Sequence, residues 1–156
     1  MRKTNICKLF ALIISFLIFF SCKEERRSSI PSCEVYIETS PSEFARLRTP
    51  NSAVSYIYTP GMQVPANFRF GYGGVLIYRD LDNKLRSCDL ACPVEASNIV
   101  RVDVNMPFAV CPQCKSEFDL SWGLAIPSAR NTGPARESLR NYDNIRVKSN
   151  SIVVIN

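Results

Sequence analysis

The chain has no histidine among its 156 residues. That absence removes Ser-His and Cys-His nucleophile pairs and every imidazole metal ligand. No serine stands three residues before a lysine, so the Ser-x-x-Lys arrangement is missing as well. Long apolar runs are scarce: the longest, 9–20, is interrupted by Ser15 and is too short to span a bilayer as a permanent helix. No extended stretch carries helical periodicity, and no internal repeat or low-complexity tract occurs. The glycine-rich segment Gly71-Tyr72-Gly73-Gly74 is followed by neither Lys-Ser nor Lys-Thr, which sets aside a phosphate loop and leaves a close-packed entry into a strand.

The first residues have a different character. Arg2, Lys3 and Lys8 precede the apolar run, and Ser21-Cys22 follows it, the three-part pattern of an export signal. The segment Phe19-Phe20-Ser21-Cys22 resembles a bacterial lipobox, in which the cysteine is acylated and becomes the new N-terminus. Lipidation is accordingly expected at Cys22. The charged stretch from Lys23 to Ser29 reads as a solvated tether and also resembles the signal by which some Gram-negative lineages send lipoproteins to the surface. The expected organisation is a signal over 1–21, a tether over 22–32 and one domain over 33–156. Loss of the signal removes three of the 19 basic residues and none of the 14 acids, leaving a net charge of +2. Neither that balance nor export suits a nucleic-acid partner. The expected location is the outer membrane, on its periplasmic or surface face, with the membrane engaged through the lipid anchor and a protein partner left unknown.

The remaining chain reads as short strands. Val35 and Ile37 alternate with Glu34, Tyr36 and Glu38 in a half-buried first strand. Ser40-Pro41-Ser42-Glu43 forms a capping box that predicts a short helix through Leu47. Strands are further expected over 54–58, 75–78, 84–90, 118–122, 145–147 and 152–155, with a hairpin made of 99–104 and 108–110. Asp80 to Asn83 reads as a turn. Such a set argues for an all-β fold, a small antiparallel barrel or sandwich.

Seven cysteines reduce to five once Cys7 leaves with the signal and Cys22 takes lipid: Cys33, Cys88, Cys92, Cys111 and Cys114. Exported thiols left unprotected tend to pair. Cys88-x3-Cys92-x18-Cys111-x2-Cys114 has the look of two paired-cysteine knuckles, and four thiolates suit tetrahedral zinc or a single iron. Cys92, Cys111 and Cys114 are the candidate ligands, and Cys88 is a candidate fourth that also reads as a core residue.

The ordered series Asp89-x-x-Cys92-Pro93, Cys111-Pro112, Ser116-x-Phe118-Asp119, Gly123, Gly133-Pro134-Ala135, Leu139 and Tyr142 resembles the Rieske iron–sulfur family over roughly 73–156. That resemblance implies a barrel-like fold with two cysteine loops at one end. In the family the loops hold a two-iron cluster, one iron on two thiolates and the other on two imidazoles. By position, Cys92 and Cys111 match the thiolate ligands, Ser116 the serine that hydrogen-bonds the cluster, Gly133-Pro134-Ala135 the loop that covers it, and Tyr142 a strand aromatic. Val94 and Cys114 stand where the imidazoles belong, Lys115 replaces a glycine, and the Gly123-to-Gly133 loop is longer than the family's. Exported members use a twin-arginine signal that carries a loaded, folded domain; here Arg2-Lys3 implies export unfolded. The expected cofactor is therefore a cysteine-ligated metal or none, with Ser116 bearing on it only if a cluster is retained. The expected function is a non-catalytic scaffold or binding module on a degenerate cluster site; the alternatives are an electron carrier retaining an iron–sulfur or cysteine-ligated metal centre on Cys92, Cys111, Cys114 and a fourth ligand, and a thiol–disulfide protein using Cys111 and Cys114. Pairing among these cysteines stays open at this level.

Overall fold

A computed structural model describes residues 28–156; the expected signal and the lipidation at Cys22 lie outside the described residues. Among the described residues eleven short strands make three antiparallel sheets, accompanied by one short α-helix and one 3₁₀ turn. The first sheet has the order β10-β11-β1-β3, from β1 (Val35–Glu38), β3 (Arg69–Phe70), β10 (Asn144–Val147) and β11 (Ile152–Ile155). The second, β2-β4-β5, joins β2 (Ser52–Tyr56), β4 (Val75–Arg79) and β5 (Leu85–Asp89). The third, β6-β7-β8-β9, is built from β6 (Asp103–Asn105), β7 (Phe108–Val110), β8 (Glu117–Asp119) and β9 (Ile126–Pro127). The expected all-β class is thus the observed one. Among the described residues, no helix is long and apolar enough to cross a membrane.

The middle sheet is covered on both faces, which explains the unbroken apolar run Val75-Leu76-Ile77-Tyr78. Side chains alternate across a strand. Val75 and Ile77 join one core with Val35, Ile37, Leu47, Val54, Tyr142, Ile152 and Val154. Leu76 and Tyr78 join the other, with Cys88, Leu90, Cys92, Cys111, Phe118 and Leu120. The cysteine loops therefore grow directly out of the second core.

The helix α1 (Pro41–Arg46) has the capping box its sequence announces: Glu43 N–H donates to Ser40 Oγ and Ser40 N–H donates back to Glu43. Several boundaries differ from the sequence expectation. Ile57 and Tyr58 fall outside β2 and are exposed, and β8 stops at Asp119 because its carboxylate takes the Ser121 N–H at 2.7 Å and turns the chain. Ile99, expected to begin a strand, ends a 3₁₀ turn (Pro93–Asn98) with φ of 51°, a left-handed conformation costly for a β-branched residue. The two-residue strands β3 and β9 carry too little pattern to be foreseen. Ile30, expected in the tether, is fully buried; its carbonyl accepts Arg140 Nη1 at 3.0 Å, while the N–H and hydroxyl of Ser29 both donate to the Glu137 carboxylate.

Candidate metal centre

Two loops meet at one end of the second core. The first leaves β5 at Asp89, whose buried carboxylate accepts N–H groups from Tyr72, Gly73 and Ala91 and the hydroxyl of Tyr142. Pinned in this way, the chain bends so that Cys92 N–H donates to Val100 O at 2.8 Å, and Pro93 opens the 3₁₀ turn. The second loop is closed by Cys111 N–H to Ser116 O at 2.9 Å and Lys115 N–H to Cys111 O at 3.0 Å. Lys115 has φ of 61°, so the position where the resembling family carries glycine keeps a glycine-like backbone here.

The sulfur atoms of Cys92, Cys111 and Cys114 all lie within 4.8 Å of one another. Cys92 and Cys111 are buried, while Cys114 is half-buried and marks the side open to solvent. The Cys92–Cys114 sulfur separation is 3.6 Å. A tetrahedral ion with metal–sulfur bonds of about 2.3 Å would set its thiolates roughly 3.8 Å apart, so this spacing needs little change to accept one. Among the described residues all five cysteines are free thiols.

Cys88 does not join the group. It is fully buried on β5 opposite Leu76 and packs in the second core. Of its two readings, candidate fourth ligand and core residue, the strand geometry matches the second: from position 88 the side chain faces the core, and only the bend after Asp89 brings Cys92 to the loop end. Burial raises the pKa of the Cys88 thiol far above the ordinary range, consistent with an inert core thiol. Cys33, before β1, is not in the group, and its carbonyl accepts Asn156 Nδ2 at 3.1 Å.

Cys92 and Cys114 are shifted in opposite directions. Burial pushes the Cys92 thiol up to about 12, against N–H groups of Val94 and Glu95 that favour its charge; the neighbouring thiols of Cys111 and Cys114 add to the rise. At Cys114, burial opposes charge but is outweighed by the hydroxyl and backbone N–H of Ser116 and by the other two thiols, so its pKa falls below the usual value. Ser116 is fully buried and its Oγ lies 3.2 Å from Cys114 Sγ. The same oxygen accepts Ala135 N–H at 3.0 Å, which leaves its proton free to point at a Cys114 thiolate. A cation would neutralise the group and release the remaining protons.

The segment Gly133-Pro134-Ala135 does lie against this site. A Cβ on Gly133 would come 2.4 Å from Ser116 N and 2.5 Å from its Oγ. Gly133→Ala is expected to cost about 1–3 kcal/mol and to weaken metal retention, because it pushes Ser116 away from Cys114. Chemical denaturation with and without added metal checks both halves. At Lys115, replacement by glycine should be neutral or stabilising, whereas Lys115→Val should be less stable than Lys115→Gly by about 1–2 kcal/mol, since a β-branched residue resists the left-handed region. Equal midpoints for the two variants would refute that reading of the loop.

Sequence reasoning left one part of the site unassigned. Gln113 Nε2 donates to Glu95 Oε2 at 2.9 Å, a clamp joining the rims of the two loops. Each lies within a cysteine loop, yet nothing in their spacing reveals that they meet.

A two-iron cluster of the Rieske kind does not fit these residues. Val94 offers no donor atom and is 40% exposed, so a second iron would lack the ligands that two imidazoles provide. Three convergent thiols suit a single soft ion instead.

Neither a family model nor a curated protein matches this chain in sequence. Among solved structures it is similar to a quaternary ammonium Rieske monooxygenase, CntA, crystallised with an inhibitor, at 15% identity and a TM-score of 0.49. A second structure described as a quaternary ammonium Rieske monooxygenase is similar at 16% identity and a TM-score of 0.47. In each case the match covers 78% of this chain and 30% of the other, so this chain spans under a third of the length of those enzymes.

Proposed function

We propose that this is an exported, lipid-anchored envelope protein whose Rieske-like domain has given up the two-iron cluster and serves as a non-catalytic, metal-binding module. The observation that carries the metal site is the convergence of Cys92, Cys111 and Cys114 within 4.8 Å on one end of an otherwise closed core. Three thiolates and a solvent-facing fourth position would take a single thiophilic ion such as zinc. The absence of histidine supports a binding role over acid–base catalysis, and the lipobox-like Phe19-Phe20-Ser21-Cys22 supports the anchor.

Elemental analysis with thiol titration on protein extracted from membranes tests this reading. One ion per chain is expected, with three thiols protected from alkylation until a chelator is added. A metal-free protein with a disulfide within the trio would favour the thiol–disulfide function instead. A Rieske-type electron-spin signal would overturn the loss of the cluster. Mass spectrometry of the same protein should show acyl chains on Cys22 and no residues 1–21.

A further inference from the structure

The loop that runs longer than the resembling family's, together with Trp122 just before it, carries apolar side chains out of the domain. Trp122 is 64% exposed, Leu124 46% and Ile126 51%. Leu81, 43% exposed, joins them because its N–H donates to Ser121 O at 2.9 Å. This projection is built. Ala125 between the two aliphatic residues is fully buried, its carbonyl accepting Leu139 N–H at 2.9 Å, while Tyr78 Oη donates to Gly123 O at 2.8 Å. Alternation about Ala125 then leaves Leu124 and Ile126 facing outward. Exposed apolar side chains gathered by one turn and held out by buried pins mark a contact surface.

The path of the chain says what meets it. Ser29 is bound to Glu137 and Ile30 to Arg140, and these two acceptor and donor residues flank Leu139, the residue that pins Ala125. The chain therefore leaves the domain along the same edge that displays the apolar side chains. With Cys22 acylated, only residues 23–28 separate the lipid from that edge, a span of roughly 20 Å when fully extended. Arg136 is exposed and lines one groove with Leu124 and Ile126.

We infer that Leu81, Trp122, Leu124 and Ile126 seat in the interfacial layer of the membrane that holds the anchor, with Arg136 among its phosphates. This rests on the lipid-anchor reading. Tryptophan favours the membrane interface, and arginine lays its stem on apolar surface while its charge stays with the headgroups. A second contact also turns a flexible tether into a defined orientation, since an acyl anchor alone fixes distance and leaves the domain free to rotate. Because Ala135 touches Ser116, the thiol trio is then held at a set height above the lipid.

Trp122 is the single tryptophan of the chain and reports on its own surroundings. The full protein, purified from membranes, is reconstituted into phosphatidylethanolamine–phosphatidylglycerol vesicles with or without bromine near the headgroup end of the acyl chains. At least about twofold quenching by the brominated lipid is expected, with reduced access to acrylamide, and Leu124→Ser with Ile126→Ser should lose most of the quenching. Mass spectrometry of the same sample reports acylation. An acylated protein whose Trp122 is quenched only by acrylamide overturns the surface while the anchor stands. Quenching by bromine in an unacylated, vesicle-bound protein sustains the surface and removes the anchor. Shielding from both quenchers points to a protein covering the patch and overturns the inference.

Discussion

Cys111→Ser should abolish metal binding, whereas Cys88→Ser should leave it in place. Serine matches cysteine in shape but keeps its proton at neutral pH, so it offers no anionic sulfur to a soft ion. With one of three converging thiolates gone, affinity is expected to fall by at least about a hundredfold, more than the 10–100-fold typical of losing an outer-shell partner. Cys92→Ser and Cys114→Ser should behave like Cys111→Ser, because all three sulfurs lie within 4.8 Å. Cys88→Ser has the opposite profile. It places a hydroxyl opposite Leu76 in a fully buried position and should cost about 1–3 kcal/mol of stability, while metal stoichiometry stays at that of the wild type. Competition titration against a chromophoric chelator, paired with urea denaturation, separates the two kinds of loss. Metal loss in a folded Cys88→Ser variant would place the fourth ligand where strand geometry says it cannot be.

Asp89→Ala should be among the most damaging single changes in the domain. Its Oδ2 accepts Tyr72 N–H at 2.9 Å and Tyr142 Oη–H at 2.6 Å, and its Oδ1 accepts Gly73 N–H at 2.9 Å and Ala91 N–H at 2.7 Å. Alanine would leave four donors facing a buried void. At roughly 1–3 kcal/mol for each unsatisfied buried group, partly relieved by water entering the gap, a loss of about 3–5 kcal/mol is expected. That is a large share of the roughly 5–15 kcal/mol that keeps a domain folded. Tyr142→Phe removes one of the four donors and should cost about 1–2 kcal/mol. In the double variant the cost should be less than the sum, since the tyrosine hydroxyl has nothing left to bond once the carboxylate is gone. Strict additivity in urea midpoints would falsify the view that this carboxylate holds the Cys92 loop. Gly73 belongs to the same unit, because a Cβ there would sit 2.7 Å from Asp89 Oδ1 and 2.6 Å from Ala91.

Much of the architecture was legible before any coordinates. The alternation in Val35-Tyr36-Ile37-Glu38 marks β1, and the capping box at Ser40 marks α1, since both signals are local and need no partner. The unbroken run at Val75–Tyr78 is legible as a buried strand, but not as the layer between two cores, because burial on both faces depends on what packs there. The expected ligand chemistry rests on residue types alone. Without histidine, with Val94 and Cys114 at the two critical positions, the residue types alone argue for thiolate ligation or none.

Which thiols act together is a different matter. Spacing grouped Cys88 with Cys92 as readily as Cys111 with Cys114, and treated Asp89 and Tyr142 as separate marks on the chain although 53 positions divide them. Their meeting is settled by the pairing of β4 with β5, the isolated bridge between Cys88 and Asn141, and the turn at Cys92. One residue of strand turns a side chain from core to the opposite face, so Cys88 and the Asp89 carboxylate part company at adjacent positions. Local sequence determined the kind of side chain on offer and the strand pattern because those follow from each residue's own chemistry. Tertiary structure decided that Cys92, Cys111 and Cys114 converge and Cys88 stays apart, because convergence depends on long-range pairing that no short spacing encodes.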